Sequence, residues 1–273
     1  MYQNRFEIID AHCHIYPAKI AAKAAVSVGN FYKEEPACGG TVEELIEKGT
    51  AVGVDRFVVQ SVATAPKQVA SINGFIADAV AASNGRFIGF GTLHPESEDI
   101  KGDLEHLTEL GLKGVKLHPD IQGFKLDDYR CLKIYELCEA AGLPILMHTG
   151  DFRYDMSNPN RLIPVMKIYT NLTVIGAHFG GWSLWEEASD RLSDFPNFYV
   201  DTCSSFYALE KDTVKRIIEA YGTDKVIFGT DYPMWRQDKD LEYLFSLGFF
   251  ENELQNILYN NILKALKIKN KNP

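Results

Sequence analysis

The sequence predicts a single α/β domain, a (β/α)8 barrel of the TIM type, and three observations predict it. Eight β-rich runs recur along the 273 residues, after the first roughly every 25 to 31 positions, which is the length of one strand, one helix and two loops. Helical patterns with recognisable ends fill the intervals. Six of the seven histidines, all but His106, fall where a strand-like run ends, the rim at which barrel enzymes carry their polar site residues.

The runs, in order, are Phe6 to His12, Asp55 to Ser61, Arg86 to Leu93, Leu112 to His118, Leu143 to His148, Leu172 to His178, Asn197 to Cys203 and Lys225 to Asp231. They are short, apolar and rich in β-branched and aromatic residues, as strands buried on both faces are. Between them, Thr41 followed three positions later by Glu44 reads as a helix start, Asp127 with Arg130 opens another helix, and Gly111 and Gly142 end two. No linker or repeat breaks the cadence, so 1–273 reads as one domain. The departure is residues 15–40, directly after the first run, with a helix expected over Ala18 to Val28; it reads as a lid or as a packing elaboration.

Composition bounds the function. A net charge of -9 disfavours nonspecific nucleic-acid binding, which needs a basic surface to displace counterions. No apolar leader and no run long enough for a membrane span is seen, and five cysteines without CxxC spacing fit a reducing compartment, so a cytoplasmic location is expected. Cys131 and Cys138 read as buried thiols on one helix face.

The histidines carry the chemistry. Strand alternation puts Ile8, Asp10, His12 and His14 on one face, so both imidazoles of Asp10-Ala11-His12-Cys13-His14 enter the barrel mouth, where they can chelate one ion. His148, His178 and Asp231 each close an apolar run and obey the same rule. His94 and His118, each followed by proline, read as structural loop residues or rim residues, and His106 as exposed.

In this order the motifs resemble the amidohydrolase superfamily. His12-Cys13-His14, His148, Ala177-His178-Phe179-Gly180-Gly181, Gly229-Thr230-Asp231-Tyr232-Pro233 and Gly114-Val115-Lys116-Leu117-His118-Pro119 resemble its amidohydrolase-related branch. That branch includes aminocarboxymuconate semialdehyde decarboxylase, γ-resorcylate decarboxylase and pyrone-dicarboxylate lactonase types. The resemblance implies a TIM barrel of the metal-dependent hydrolase type, with His12, His14, His148 and Asp231 as ligands of one divalent metal, zinc being the first choice. It implies that His178 stands beside an activated water and that Asp231 also moves a proton. Lys116 reads as an interior charge paired with Asp10 rather than as the carbamylated bridge of two-metal members, and Asp10 as a carboxylate that could orient a histidine from below.

Three functions follow. The first is hydrolysis of an amide, lactone or related bond of a small anionic molecule by a metal-activated water. The second is non-oxidative decarboxylation of a small aromatic or unsaturated carboxylic acid. The third is a noncatalytic barrel that keeps its metal while binding a metabolite or partner chain; it is disfavoured because structural zinc sites are typically closed by four Cys or His ligands. Arg153 is expected to bind a substrate carboxylate, and Trp182, Tyr207, Tyr232 and Trp235 to form an apolar wall. The expected partner is a small molecule, without nucleic acid or membrane, and the family makes a homodimer reasonable.

Overall fold

Eight parallel strands lie side by side in chain order: β1 Ile9–His14, β2 Arg56–Gln60, β3 Phe87–Thr92, β4 Gly114–Leu117, β5 Ile145–Met147, β6 Val174–Gly176, β7 Phe198–Asp201 and β8 Val226–Ile227. Backbone bonds from Ala11 N to Phe228 O (2.9 Å) and from His14 N to Tyr232 O (2.6 Å) bring the last strand back to the first, so the sheet curls into a TIM barrel. The computed structural model describes residues 5–269.

The strands are apolar on both faces because both are covered. Ile9, Val58, Ile88, Phe90, Leu146, Ile175 and Ile227 fill the barrel, while Phe57, Val59, Val115, Ile145, Val174, Phe198 and Val200 pack outward against the helices. Beneath the barrel, the helical stretch from Glu251 to Ala265 contains one π-turn over Asn256–Asn260. Its Tyr259, Ile262 and Leu263 join the interior cluster and plug the end opposite the histidines. Only the upper end is left for a cavity.

Helix ends follow the expected chemistry with one shift. Thr41 accepts from Glu44 N, and Gly111 and Gly142 adopt the left-handed backbone that ends helices. The next cap is Asp128, which accepts from Arg130 N, rather than Asp127, whose carboxylate binds Arg161 instead. All five cysteines are free and buried, and His106 is half exposed on its helix. Among the described residues no helix is long and apolar enough to cross a membrane.

One buried acid is uncompensated. Asp240, on the helix Gln237–Ser246, is pushed well above the usual carboxylate range by burial and by neighbouring Asp10, and among the described residues no hydrogen-bond donor is recorded at its carboxylate. A carboxyl whose pKa is raised on folding costs stability as pH rises above its unfolded value. Asp240→Asn is therefore expected to stabilise the protein at pH 8 by on the order of 1–3 kcal/mol, with the gain fading toward pH 4. Thermal melts of the two proteins at both pH values check this, and a variant less stable at pH 8 would show that the carboxylate has a role the hydrogen-bond pattern does not reveal.

Candidate metal centre and substrate cavity

The first strand departs from simple alternation at the point that matters. Ile9 pairs with Arg56 and Asp10 with Phe57, but the next pairs are Cys13 with Val59 and His14 with Gln60, so Ala11 and His12 together stand opposite Val58. This β-bulge resets the side-chain parity. Ile9 points into the barrel and Asp10 away from it, yet His12 and His14 both reach the mouth. Asp10 therefore does not share the histidines' face. Its carboxylate accepts from Thr230 N (3.0 Å), Thr230 Oγ1 (2.6 Å), Gln237 Nε2 (3.1 Å) and the backbone His12 N (3.3 Å), and among the described residues it pairs with no lysine.

Three donors meet at the mouth. His12 Nε2 and His14 Nε2 are 3.2 Å apart, and Asp231 Oδ1 lies 3.4 and 3.5 Å from them. Ligand atoms bound tetrahedrally to zinc at 2.0–2.1 Å are separated by about 3.3–3.4 Å, so the triangle has the dimensions of a coordination face. His12 Nδ1 is 2.7 Å from the buried Asp201 Oδ2, which places the proton on Nδ1 and leaves the Nε2 lone pair free. Burial, with His12 alongside, keeps His14 well below its ordinary pKa and hence neutral. Two imidazole nitrogens and a carboxylate oxygen packed this closely call for a cation, and the donor set fits a divalent ion.

Lys116 supplies part of that charge. It is buried at the end of β4 with its Nζ 3.1 Å from His12 Nε2, and burial lowers its pKa while Asp231, Cys203 and Asp201 oppose the shift. The expected Asp10 partner is absent because the bulge turns Asp10 outward. Asp231 is ionised: burial raises its pKa, but His12, His178 and His14 outweigh that and hold it below the usual carboxylate range. Its Oδ2 accepts from Ser204 Oγ (2.6 Å), which in turn accepts from Trp235 Nε1 (2.8 Å). Trp235 thus steadies the carboxylate.

His178 and Asp231 both adopt left-handed backbone, with φ of 60° and 62°, an uncommon conformation that histidine and aspartate tolerate better than most residues. His178 N donates to Asp201 Oδ1 (2.9 Å), its Nδ1 lies 3.2 Å from Cys203 O, and its Nε2 is 2.9 Å from His148 Nδ1. Burial and the neighbouring His148 push its pKa down to about 3, so it is a neutral hydrogen-bonding group at working pH. His148, expected as the fourth ligand, is joined to the triad through His178. Its ring stacks on His118 with centroids 4.0 Å apart, and its donor atoms cluster with His118 and Asp120. Three of the four expected ligands converge, and the fourth stands one ring away in the same cavity.

The segment 15–40 covers the mouth. Its helix runs Ala21–Tyr32, later than expected, and so delivers Phe31 and Tyr32 to the site. Tyr32 OH is 2.6 Å from His118 Nε2 and 3.4 Å from His148 Nε2. Arg153 ties this helix down: its guanidinium binds Asp151 through both Nε and Nη2, donates to Phe31 O (2.8 Å) and lies 5.2–5.6 Å from the rings of Phe31, Tyr32, Tyr154 and Trp182. Its fork is filled by Asp151 and it does not line the cavity, which corrects its expected role in binding a substrate carboxylate. Tyr232 is also no wall residue: it is fully buried, with its hydroxyl donating to Thr41 O. Trp182, Tyr207 and Trp235 border a small recess beside His178 and Asp231.

Asp201 and Tyr32 are the residues that sequence reasoning left out, and His118, read there as a structural loop or rim residue, lies at the cavity. Asp201 closes Phe198-Tyr199-Val200, so the strand-end rule that found Asp231 also covered it. Gly229, in the Gly-Thr-Asp run, has a packing reason: a Cβ there would lie 2.9 Å from His12 Cβ. Gly229→Ala is expected to displace His12 and weaken metal affinity about 10- to 100-fold, the range typical of disturbed supports around a metal ligand. Competition with a chromophoric chelator reads it, and unchanged affinity would show that the strand yields elsewhere.

His12, His14, Asp231, Lys116, His148 and His178 line a cavity of about 540 Å³. A barrel plugged below and carrying a cation-demanding triangle above is the architecture of a metal-dependent barrel enzyme. The model of the amidohydrolase family matches residues 9–268, and the chain belongs to that family. It is 25% identical over 200 residues to a 2-amino-3-carboxymuconate-6-semialdehyde decarboxylase from Dictyostelium discoideum, covering 59% of this chain and 55% of the relative, so it spans about half the length of that protein. An uncharacterised TIM-barrel protein from Bordetella bronchiseptica superposes with a TM-score of 0.81 at 22% identity, over 96% of this chain and 99% of the other. A dihydroxybenzoic acid decarboxylase from a Polaromonas species, solved with manganese and the inhibitor 2-nitroresorcinol, gives 0.75 at 17% identity, over 96% and 97%.

Proposed function

We propose that the protein is a metal-dependent, non-oxidative decarboxylase of a small carboxylic acid. The observation that carries this reading is the triangle His12–His14–Asp231 with Lys116 at the base of a cavity whose surface is otherwise mostly apolar. Such a floor anchors an acid group, and such walls favour the neutral, charge-dispersed product over a carboxylate. The named relatives support decarboxylation over the hydrolysis that the sequence alone put first.

His12 Nε2, His14 Nε2 and Asp231 Oδ1 would hold the ion, with His148 at its margin; manganese and zinc are both compatible with these donors. When bound, the ion supplies positive charge that anchors the substrate's acid oxygens. The chain does the rest. Asp201 fixes the His12 tautomer, Lys116 balances the substrate's charge, and neutral His178, whose Nδ1 and Nε2 meet Cys203 O and His148 Nδ1, holds the His148 ring at the side of the cavity. Asp231, ionised at rest, takes a proton from water, the hydroxide left behind passing to bulk solvent, and delivers that proton to carbon. The carbon–carboxyl bond breaks, its electron pair stays on carbon and binds that proton, and carbon dioxide leaves.

The test is a panel of hydroxybenzoates and unsaturated acids beside lactones and acyl-amino compounds, assayed with manganese- and zinc-loaded protein. Carbon dioxide from one of the acids, without acid release from the lactones, is expected; hydrolysis of lactones without carbon dioxide from any acid would overturn the proposal.

A further inference from the structure

We infer that the substrate is a monoacid with an extended apolar body, recognised by one acid group only. The inference rests on the reading of this cavity as the substrate site. Among the described residues lining it, Lys116 is the only lysine or arginine and Asp231 the only carboxylate, and both belong to the metal pole. Away from that pole the walls are mainly Ile20, Ala24, Val28 and Phe31 on one side and Ile72 and Phe75 on the other, with Ser27, Thr64, Gln68 and Ser71 between them. The polar groups among them are largely engaged within the protein: Ser61 Oγ donates to Ile15 O, Ser71 Oγ to Gln68 O, and the Gln68 side-chain carbonyl accepts from Thr64 and Ala65. Arg153, the cation best placed by sequence to meet a second carboxylate, is spent on Asp151.

A second carboxylate buried here would lose its water and gain no counter-charge, which a site cannot offset. Size points the same way. A cavity of about 540 Å³ lies within the roughly 300–1,000 Å³ range of sites that enclose whole drug-sized ligands, which are larger than a benzoate. Ile20, half exposed, carries the apolar wall out to the entrance. The remaining volume is therefore shaped for hydrocarbon.

The experiment compares 4-butylbenzoate with 4-(3-carboxypropyl)benzoate, similar in length and differing by one terminal carboxylate, by titration calorimetry on the manganese-loaded protein. The butyl acid is expected to bind at least tenfold more tightly. Ile72→Arg, and independently Val28→Arg, should erase or invert that preference, with circular dichroism confirming the fold. Equal or tighter binding of the diacid, no binding of the butyl acid at millimolar concentration, or a folded arginine variant that keeps the wild-type preference would overturn the inference. If neither variant folds, the wild-type pair decides. Failure of the decarboxylase reading is separately visible: the butyl acid would bind as expected while no carboxylic acid yielded carbon dioxide.

Discussion

Asp231→Asn is expected to lower turnover by about 10³-fold, within the range attributed to a positioned proton-transfer group, while the barrel stays folded. The amide keeps the side chain's shape and can still meet Ser204, so packing is not the cause of the loss. What disappears is the negative charge facing His12 and His14 at 3.4 and 3.5 Å and the atom that carries the proton. Elemental analysis and single-turnover rates, measured together, separate the two effects. A variant with full metal content and no turnover isolates the proton role, whereas loss of both in proportion assigns Asp231 to holding the ion. Undiminished turnover would remove it from the chemistry.

Stripping the ion with a chelator is expected to abolish activity and to lower the melting temperature, with manganese or zinc restoring both. Binding to the folded state alone contributes about 4 kcal/mol when free metal is a thousandfold above its dissociation constant, which for a chain of this size is on the order of ten degrees. The direction follows from the site: without an ion, the crowded donors are offset chiefly by Lys116 at 3.1 Å. Differential scanning calorimetry with and without metal checks it. A melting temperature indifferent to metal would mean that the three donors do not form a binding face.

The barrel was legible because its signals are local and repeated. Seven of the eight predicted runs contain their strands, and β1 continues two residues past the end of the first run, to His14, while the ordered pairing elsewhere is shorter, as at Val226–Ile227 within the run ending at Asp231. His12, His14 and Asp231 were legible through their strand-end positions. Residues whose roles arise only from folding were not: Tyr32 reaches the site because its helix continues one turn beyond the expected end, and His118 because its ring lies flat on His148. Arg153 shows the converse, since the two-residue spacing from Asp151 lets a neighbour claim its fork before any ligand can. Asp10 was misplaced because alternation was counted through a strand that does not alternate throughout.

That irregularity makes chain length a determinant of the chemistry. Over the span facing Phe57 to Val59, β1 carries one residue more than its partner, and the surplus is what lets an apolar floor and a ligand pair follow each other on the same side of a strand. Inserting one residue into β2 opposite the bulge, between Phe57 and Val59, would leave every histidine in the protein yet let β1 pair with β2 without the offset, so that with Ile9 still inward His12 and His14 would turn outward. Exchanging side chains can be compensated by neighbouring side chains; an added unit of backbone in the partner strand cannot, and substitution should be far better tolerated than insertion at this point.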